Sequence, residues 1–471
     1  MTNIDHATAH ALAVSLAKVY DAVSTKIAED NASSPLVARV TGHLGCPLGE
    51  VVVVVEEKYR LWEHAGLQTG ADRYLAAHSP EARWFGVVGG ERRWESVVNM
   101  LLYAMRDGSR LLGRPDYGTT PIGPAESMEV MQLGLVETVA PDGAPVVMVV
   151  SNVDEYDGHA MLTLLSPSMA AATAVRDEVE RLKRLHDPFR GRVLSFGFSE
   201  HRDNELVSFL PRPELTAEEV VLPEGRLAAV EDHIVGIAEA REQLVEAGQH
   251  LRRGLLLYGP PGTGKTHTVR YLVGRLREHT AILMTGPGMR HLDHAIALAR
   301  KLQPSIVVIE DVDLIAEDRS QFETSPLLFS LLEAMDGITG EADVSFVLTT
   351  NRVDALERAL VQRPGRVDLA VEVAPPSAPD RDRLIRLYAR NRPIEADVAK
   401  VVAATEGVTG AFVKELLRRV ILLAIRAGEH ALTDEHFDTA FQAMSGDAQA
   451  LTRALLGAGA ERQERTPSRL C

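Results

Sequence analysis

The residues best suited to chemistry are Gly259-Pro260-Pro261-Gly262-Thr263-Gly264-Lys265-Thr266. They fit G-x-x-x-x-G-K-[ST], the spacing of a loop that cradles phosphates. Glycines let the backbone turn tightly, so successive N–H groups can point at one phosphate. A helix that starts at the end of the loop adds partial positive charge. Lys265 then reaches the outer phosphates, and the Thr266 hydroxyl is a ligand for Mg2+. A second reactive group follows downstream, where Ile306-Val307-Val308-Ile309 runs straight into Glu310-Asp311-Val312-Asp313. Acids at the end of a buried strand suit two tasks beside a phosphate loop. One carboxylate, Glu310, holds Mg2+ through water, and the next, Asp311, orients or deprotonates the attacking water.

These groups need elements to hold them. Leu255 to Tyr258 reads as a buried strand leading into the loop, and His267 to Leu276 as the helix leading out. Thr280–Thr285, Ile306–Ile309 and Val344–Thr349 read as further strands. Residues 291–302 place Leu292, Ala295, Ile296, Ala299 and Leu302 on one helical face, and Leu327–Met335 is also helical. This β–α–β alternation predicts a parallel sheet with helices on both faces and the active groups at one edge. From Pro379 to Ala443 the chain reads as all helix. The expected fold class is α/β: a P-loop NTPase-type parallel sheet, followed by a small all-helical lid and preceded by a mixed α/β region. The corresponding boundaries are 1–215, 216–375, 376–445, and a fraying tail from 446 to 471.

The region before residue 215 offers elements but no chemical motif. Ile4, Ala7, Leu12, Leu16, Val19, Val23 and Ile27 lie at helical spacing. Val51–Val55 reads as a buried strand or a helix segment. Trp84–Val88, Pro145–Ser151, Met161–Leu165, Arg192–Phe198 and Val207–Leu210 read as strands. Glu95–Arg106 and Met169–Leu185 read as helices. Residues 107–127, rich in Gly, Pro, Asp and Ser, read as a long loop, and Pro211–Pro223 as a linker. At 471 residues the chain has room for about three domains. Its net charge of −16, from 66 acidic and 50 basic residues, disfavours sequence-independent nucleic-acid binding. Cys46 and Cys471 lack any disulfide or zinc-site spacing. With no basic leader and no apolar run near the roughly 20 residues a bilayer requires, the sequence reads as cytoplasmic.

Several motifs together resemble the AAA family of the AAA+ ATPases, over residues 222–445. Leu257 through Thr266 is similar to that family's Walker A motif, and Ile306 through Asp313 to its Walker B. Phe346 through Arg352 resembles the sensor 1 strand, with Asn351 as the residue that positions the lytic water. Leu332-Glu333-Ala334-Met335-Asp336-Gly337 resembles the helix before it. Leu360 through Asp368 resembles the second region of homology, where Arg363 and Arg366 fall on the arginine-finger positions. Glu406 through Ala411 resembles the start of the lid helix, whose Gly410-Ala411 lies near the nucleotide. The resemblance implies ATP and Mg2+ as cofactors. The implied nucleotide contacts are Gly259, Pro260, Pro261, Gly262, Thr263, Gly264, Lys265, Thr266 and His267, with Gly410 and Ala411. It also implies a homo-oligomeric ring, usually a hexamer, whose arginine fingers act on the neighbour's ATP.

The chain departs from the family pattern in three places. The acids run Glu310 then Asp311, where the family has Asp then Glu, which predicts retained but slow hydrolysis. Threading relatives carry an aromatic–aliphatic–Gly pore loop where this chain has Gly286-Pro287-Gly288-Met289-Arg290, with Met289 as the sole soft apolar candidate. The lid position where many relatives have a histidine falls at Tyr388, which either stacks on a base or packs in the lid core. The leading reading is an ATP-hydrolysing protein that remodels a protein client held by residues 1–215. The alternative is a nucleotide-gated scaffold with little or no hydrolysis.

Overall fold

The structure is a computed structural model that describes residues 18, 34–48, 53–89, 95–107, 110–153, 159–197, 207–313, 342–352 and 367–445. The expected helix at 4–29 (apart from residue 18), the one at 327–335, Arg363, Arg366 and the tail from 446 lie outside the described residues. The chain forms two compact units, Met1–Arg190 with Ser199–Val207, and Gly191–Phe198 with Ser208–Cys471.

The first unit runs α1 (Pro35–Leu44), β1 (Val53–Arg60), α2 (His64–His78), β2 (Gly86–Val88), α3 (Val97–Asp107), β3 (Leu111–Gly113), β4 (Asp116–Pro121), β5 (Ser127–Val139), β6 (Pro145–Val153), β7 (His159–Ser166) and α4 (Met169–His186). Five strands make an antiparallel sheet in the order β1-β7-β6-β5-β4. Period-2 alternation sorts β6 between two cores. Val146, Met148 and Val150 face the core containing Leu67 of α2 and Val175 of α4, while Val147 and Val149 face the one containing Val40 of α1 and Met100 of α3. On β5 the parity breaks: Met131 faces the first core, Leu133 and Leu135 the second. The cause is a register shift, Asp116 opposite Leu133 but Tyr117 opposite Met131. Helix α2 takes up the backbone of Met131 there. His64 Nε2 lies 2.8 Å from its carbonyl oxygen, and its N–H donates to Gln68 Oε1 at 2.9 Å. The expected loop at 107–127 is corrected to β3 and β4. As an edge strand, β4 leaves one side of its backbone unpaired, so its Gly and Pro are tolerated.

The second unit continues with β8 (Val193–Phe196), β9 (Val207–Leu210), α5 (Arg226–Glu231), α6 (Arg241–Glu246), β10 (Arg253–Tyr258), α7 (Lys265–Arg275), β11 (Thr280–Met284), α8 (Leu292–Lys301), β12 (Ser305–Ile309), β13 (Val344–Thr350), β14 (Leu369–Glu372), α9 (Ala378–Ala389), α10 (Val398–Ala404), α11 (Gly410–Ala427) and α12 (Asp434–Ser445). Its sheet has the order β14-β10-β13-β12-β11-β8-β9. The pairs from β14 through β8 are parallel. The boundary at 215 is therefore corrected to about residue 190, because β8 and β9 belong to this sheet. Val193, Leu194 and Phe196 are buried as β8 pairs with Ala281–Met284, shielding an edge that would otherwise be open.

Pro211–Pro223 is likewise corrected from a linker to an anchored segment. The Arg212 guanidinium donates to the carbonyls of Val273, Leu276 (3.0 Å), Gly191 (2.9 Å) and His279 (2.8 Å). Val273 and Leu276 lie at the C-terminal end of α7, where carbonyls lack intrahelical partners. Val220 and Leu222 pack into the sheet's core, while Val221 packs on the lid helices. The lid itself, α9 to α12, is all helical and closes over Phe412, Leu416 and Val420. Among the described residues, no helix is long and apolar enough to cross a membrane.

Candidate functional site

Three consecutive buried leucines on β10, Leu255 to Leu257, fix the base of the phosphate loop. The turn above them requires glycine. At Gly259, φ is +142° and a Cβ would meet the Val373 carbonyl oxygen at 2.4 Å. At Gly262, φ is +78° and a Cβ would sit 3.0 Å from that of Ala411. The Ala411 N–H, in the first turn of α11, donates to the Gly262 carbonyl at 3.0 Å, joining the lid to the loop. Helix α7 begins at Lys265, so its N-terminus points toward the loop. The Lys265 ammonium donates to the carbonyls of Gly259 (2.7 Å) and Pro260 (2.8 Å). Its burial lowers its pKa, and the nearby charges of Asp311 and Asp313 oppose that effect.

Parallel pairing of β12 with β13 brings two further groups to the same sheet edge, with Ile309 opposite Leu348. Asp311 follows β12 with φ +51°, a left-handed conformation that Asp tolerates better than most residues. Its N–H donates to Thr349 Oγ1 at 3.0 Å, and its Oδ1 accepts from Asn351 Nδ2 at 3.0 Å. Two residues on, buried Asp313 accepts from Thr350 Oγ1 (2.9 Å) and from the Asn351 N–H (3.2 Å), both at Oδ1. The acid and the asparagine are thus stitched together across adjacent strands.

One cavity of about 430 Å3 receives these groups. Pro261, Gly262, Thr263, Gly264, Lys265, Thr266 and His267 line it from the loop, Asp311 and Asn351 from the sheet edge, and Gly410 and Ala411 from the lid. Glu310 is not among the lining residues, so of the two acids only Asp311 faces the cavity. Tyr388 packs against the lid core and also lines the cavity. Met289 is corrected. It is 5% exposed, in a 3-10 helix over Gly286–His291, and is not presented as a contact. A Cβ on neighbouring Gly288 would lie 2.1 Å from the Phe196 carbonyl of β8, so this segment is pinned beneath the added strand.

The sequence reading missed several lining residues. Glu219 to Pro223 form one wall, because the anchored segment passes beside the loop. His267 Nε2 lies 3.1 Å from the Glu219 carbonyl oxygen, and burial lowers the imidazole's pKa. Arg270, Asp380 and Lys414 also line the cavity. Asp380 was legible as part of the capping box with Ser377 that starts α9.

The donor set fits a nucleoside triphosphate with Mg2+. Thr263 to Thr266 supply loop N–H groups and hydroxyls, Lys265 a cation, and Thr266 and Asp311 hard oxygen donors.

A family model described as the ATPase family associated with various cellular activities (AAA) matches residues 255–375. The chain is 33% identical over 226 residues to the ATP-dependent zinc metalloprotease FtsH 2 of Symbiobacterium thermophilum, covering 44% of this chain and 38% of that protein. It is 31% identical over 268 residues to FtsH 3 of Sphaerobacter thermophilus, covering 54% of each. It is 31% identical over 211 residues to the proteasome-activating nucleotidase of Methanosphaerula palustris, covering 41% of this chain and 51% of that one. The chain thus spans about half the length of these relatives or less.

Proposed function

This chain belongs, through residues 255–375, to the AAA family of ATPases, and from that premise we propose that it hydrolyses ATP to remodel a protein client. The observation that carries this reading is the convergence of Lys265, Thr266, Asp311 and Asn351 on one cavity. ATP supplies the triphosphate, and Mg2+ the positive charge that offsets it. In this reading the loop N–H groups and Lys265 would bind the phosphates and Thr266 would hold Mg2+, while Glu310, expected to hold it through water, does not line the cavity, so Asp311 is the carboxylate placed near the ion. Asp311 takes the proton of the attacking water, and Asn351 orients that carboxylate. Arg363 and Arg366 reach the ATP of a neighbouring subunit in a homo-oligomeric ring, which we take to be a hexamer. A guanidinium's fixed fork of donors suits phosphate oxygens. The first unit holds the client, nucleic acid is not a partner, and the protein is cytoplasmic.

The burial of Met289 and the order Glu310-Asp311 favour a second reading, in which ATP binding assembles a scaffold and turnover only resets it. In both readings the protein does not thread polypeptide past Met289. The deciding measurement is steady-state ATPase rate against protein concentration, with Lys265→Ala as the blank. A rate per subunit that climbs with concentration and vanishes in the blank supports shared sites. Tight ATP binding with no turnover above the blank favours the scaffold.

A further inference from the structure

We infer that Asp313 is a positioning residue for hydrolysis, acting on Asp311 through Asn351. This rests on the ATPase reading above. Asp313 is 6% exposed, and burying a carboxylate is costly unless its oxygens are hydrogen-bonded. Its Oδ1 accepts from the Thr350 hydroxyl and the Asn351 N–H. The Thr350 hydroxyl in turn accepts from the Arg352 N–H at 3.0 Å, closing the turn that follows β13. The position of the Asn351 backbone is therefore set by Asp313, and its side chain then reaches Asp311 Oδ1 at 3.0 Å. Asp311 has no other side-chain hydrogen bond among those found in the described residues, and its backbone is in a left-handed conformation. Its carboxylate direction depends on Asn351, and so on Asp313. Asp313 does not line the cavity, so it acts on Asp311 by position, while its charge also reaches Lys265.

Two substitutions separate geometry from charge. Asp313→Asn keeps an oxygen that can accept both bonds, whereas Asp313→Ala removes it. Misplacing a reacting group by about 1 Å costs on the order of 100-fold in rate. Asp313→Ala is therefore expected to lower kcat by about that factor, with KM and ATP affinity within about threefold of wild type. Asp313→Asn is expected to recover most of the rate. A kcat for Asp313→Ala near wild type, equal losses in both variants, or KM rising in step with the fall in kcat would each overturn the proposal. Hydrogen–deuterium exchange over residues 344–352 supplies a readout that needs no turnover. It should rise in Asp313→Ala and not in Asp313→Asn, and unchanged exchange overturns the positioning role. A wild type inactive beside Lys265→Ala instead refutes the hydrolysis reading, and the exchange result then decides the positioning role on its own.

Discussion

In the proposed mechanism, Asp311 is the residue on which hydrolysis turns. It is the acid at the end of β12 that faces the cavity, and its carboxylate is held by Asn351. Asp311→Asn keeps the shape and can still meet Asn351 after its amide is turned, but it cannot take a proton. ATP affinity should stay within about threefold while turnover falls by at least about 100-fold, the usual contribution of a general base. Fluorescent-nucleotide titration and single-turnover phosphate release measure the two separately, and near-normal release would remove Asp311 from the mechanism. The phosphate loop was legible in the sequence because its function lies in backbone conformation, which Gly259, Gly262 and Gly264 dictate locally. The Asn351–Asp311 bond was not legible, since it joins residues on different strands. Asp313 was visible only as one more acid in an acidic turn, and nothing in the sequence says which acid is buried.

At the scale of elements, the anchoring of α7 and of α2 carries two predictions. Arg212 satisfies carbonyls at the end of the helix that begins with Lys265. Arg212→Ala leaves those carbonyls without their donor and should cost on the order of 2 kcal/mol in urea unfolding. Arg212→Lys should recover little, since one ammonium cannot reproduce the planar fork; full stability of either variant would refute the anchor. In the first unit, burial holds the His64 imidazole at about 4. Its folded pKa is depressed below the unfolded value, so the stability linked to it is present above 6.5 and is lost as pH falls from 6.5 toward 4. Asp187, raised to about 6 mainly by burial, pulls the other way in this window. The difference between wild type and His64→Gln isolates the imidazole: the variant should lose less stability on acidification, and identical pH profiles would show that His64 is not buried neutral. These elements also mark where the sequence fell silent. Residues 107–127 lack apolar alternation because β4 is an edge strand, and Pro211–Pro223 resembles a linker because Arg212, its anchor, bonds backbone carbonyls that carry no sequence signature.

For the molecule as a whole, the sequence correctly indicated the parallel sheet and the helical lid, because each central strand is a continuous apolar run. It misassigned β8 and β9, whose short runs have no helix between them and the preceding unit to announce a change of sheet. The consequence is testable by truncation. A chain of residues 191–471 keeps β8, β9 and Arg212, whereas a chain of residues 216–471 keeps none of them. In the shorter chain the edge of β11 from Ala281 to Met284 loses its partner strand. The apolar surface that Val193 and Phe196 covered becomes exposed, along with the carbonyls that Arg212 had bonded. Unpaired strand edges beside apolar surface promote aggregation. The longer chain should therefore be monodisperse by light scattering and bind fluorescent ATP, while the shorter one aggregates or melts at a lower temperature. If both chains behave alike, β8 and β9 are appendages to the ATPase sheet and the boundary returns to residue 215. If only the longer chain folds, the strands entering from the first unit are part of the ATPase itself. The segment at Gly288 then packs beneath a strand that belongs to the ATPase sheet.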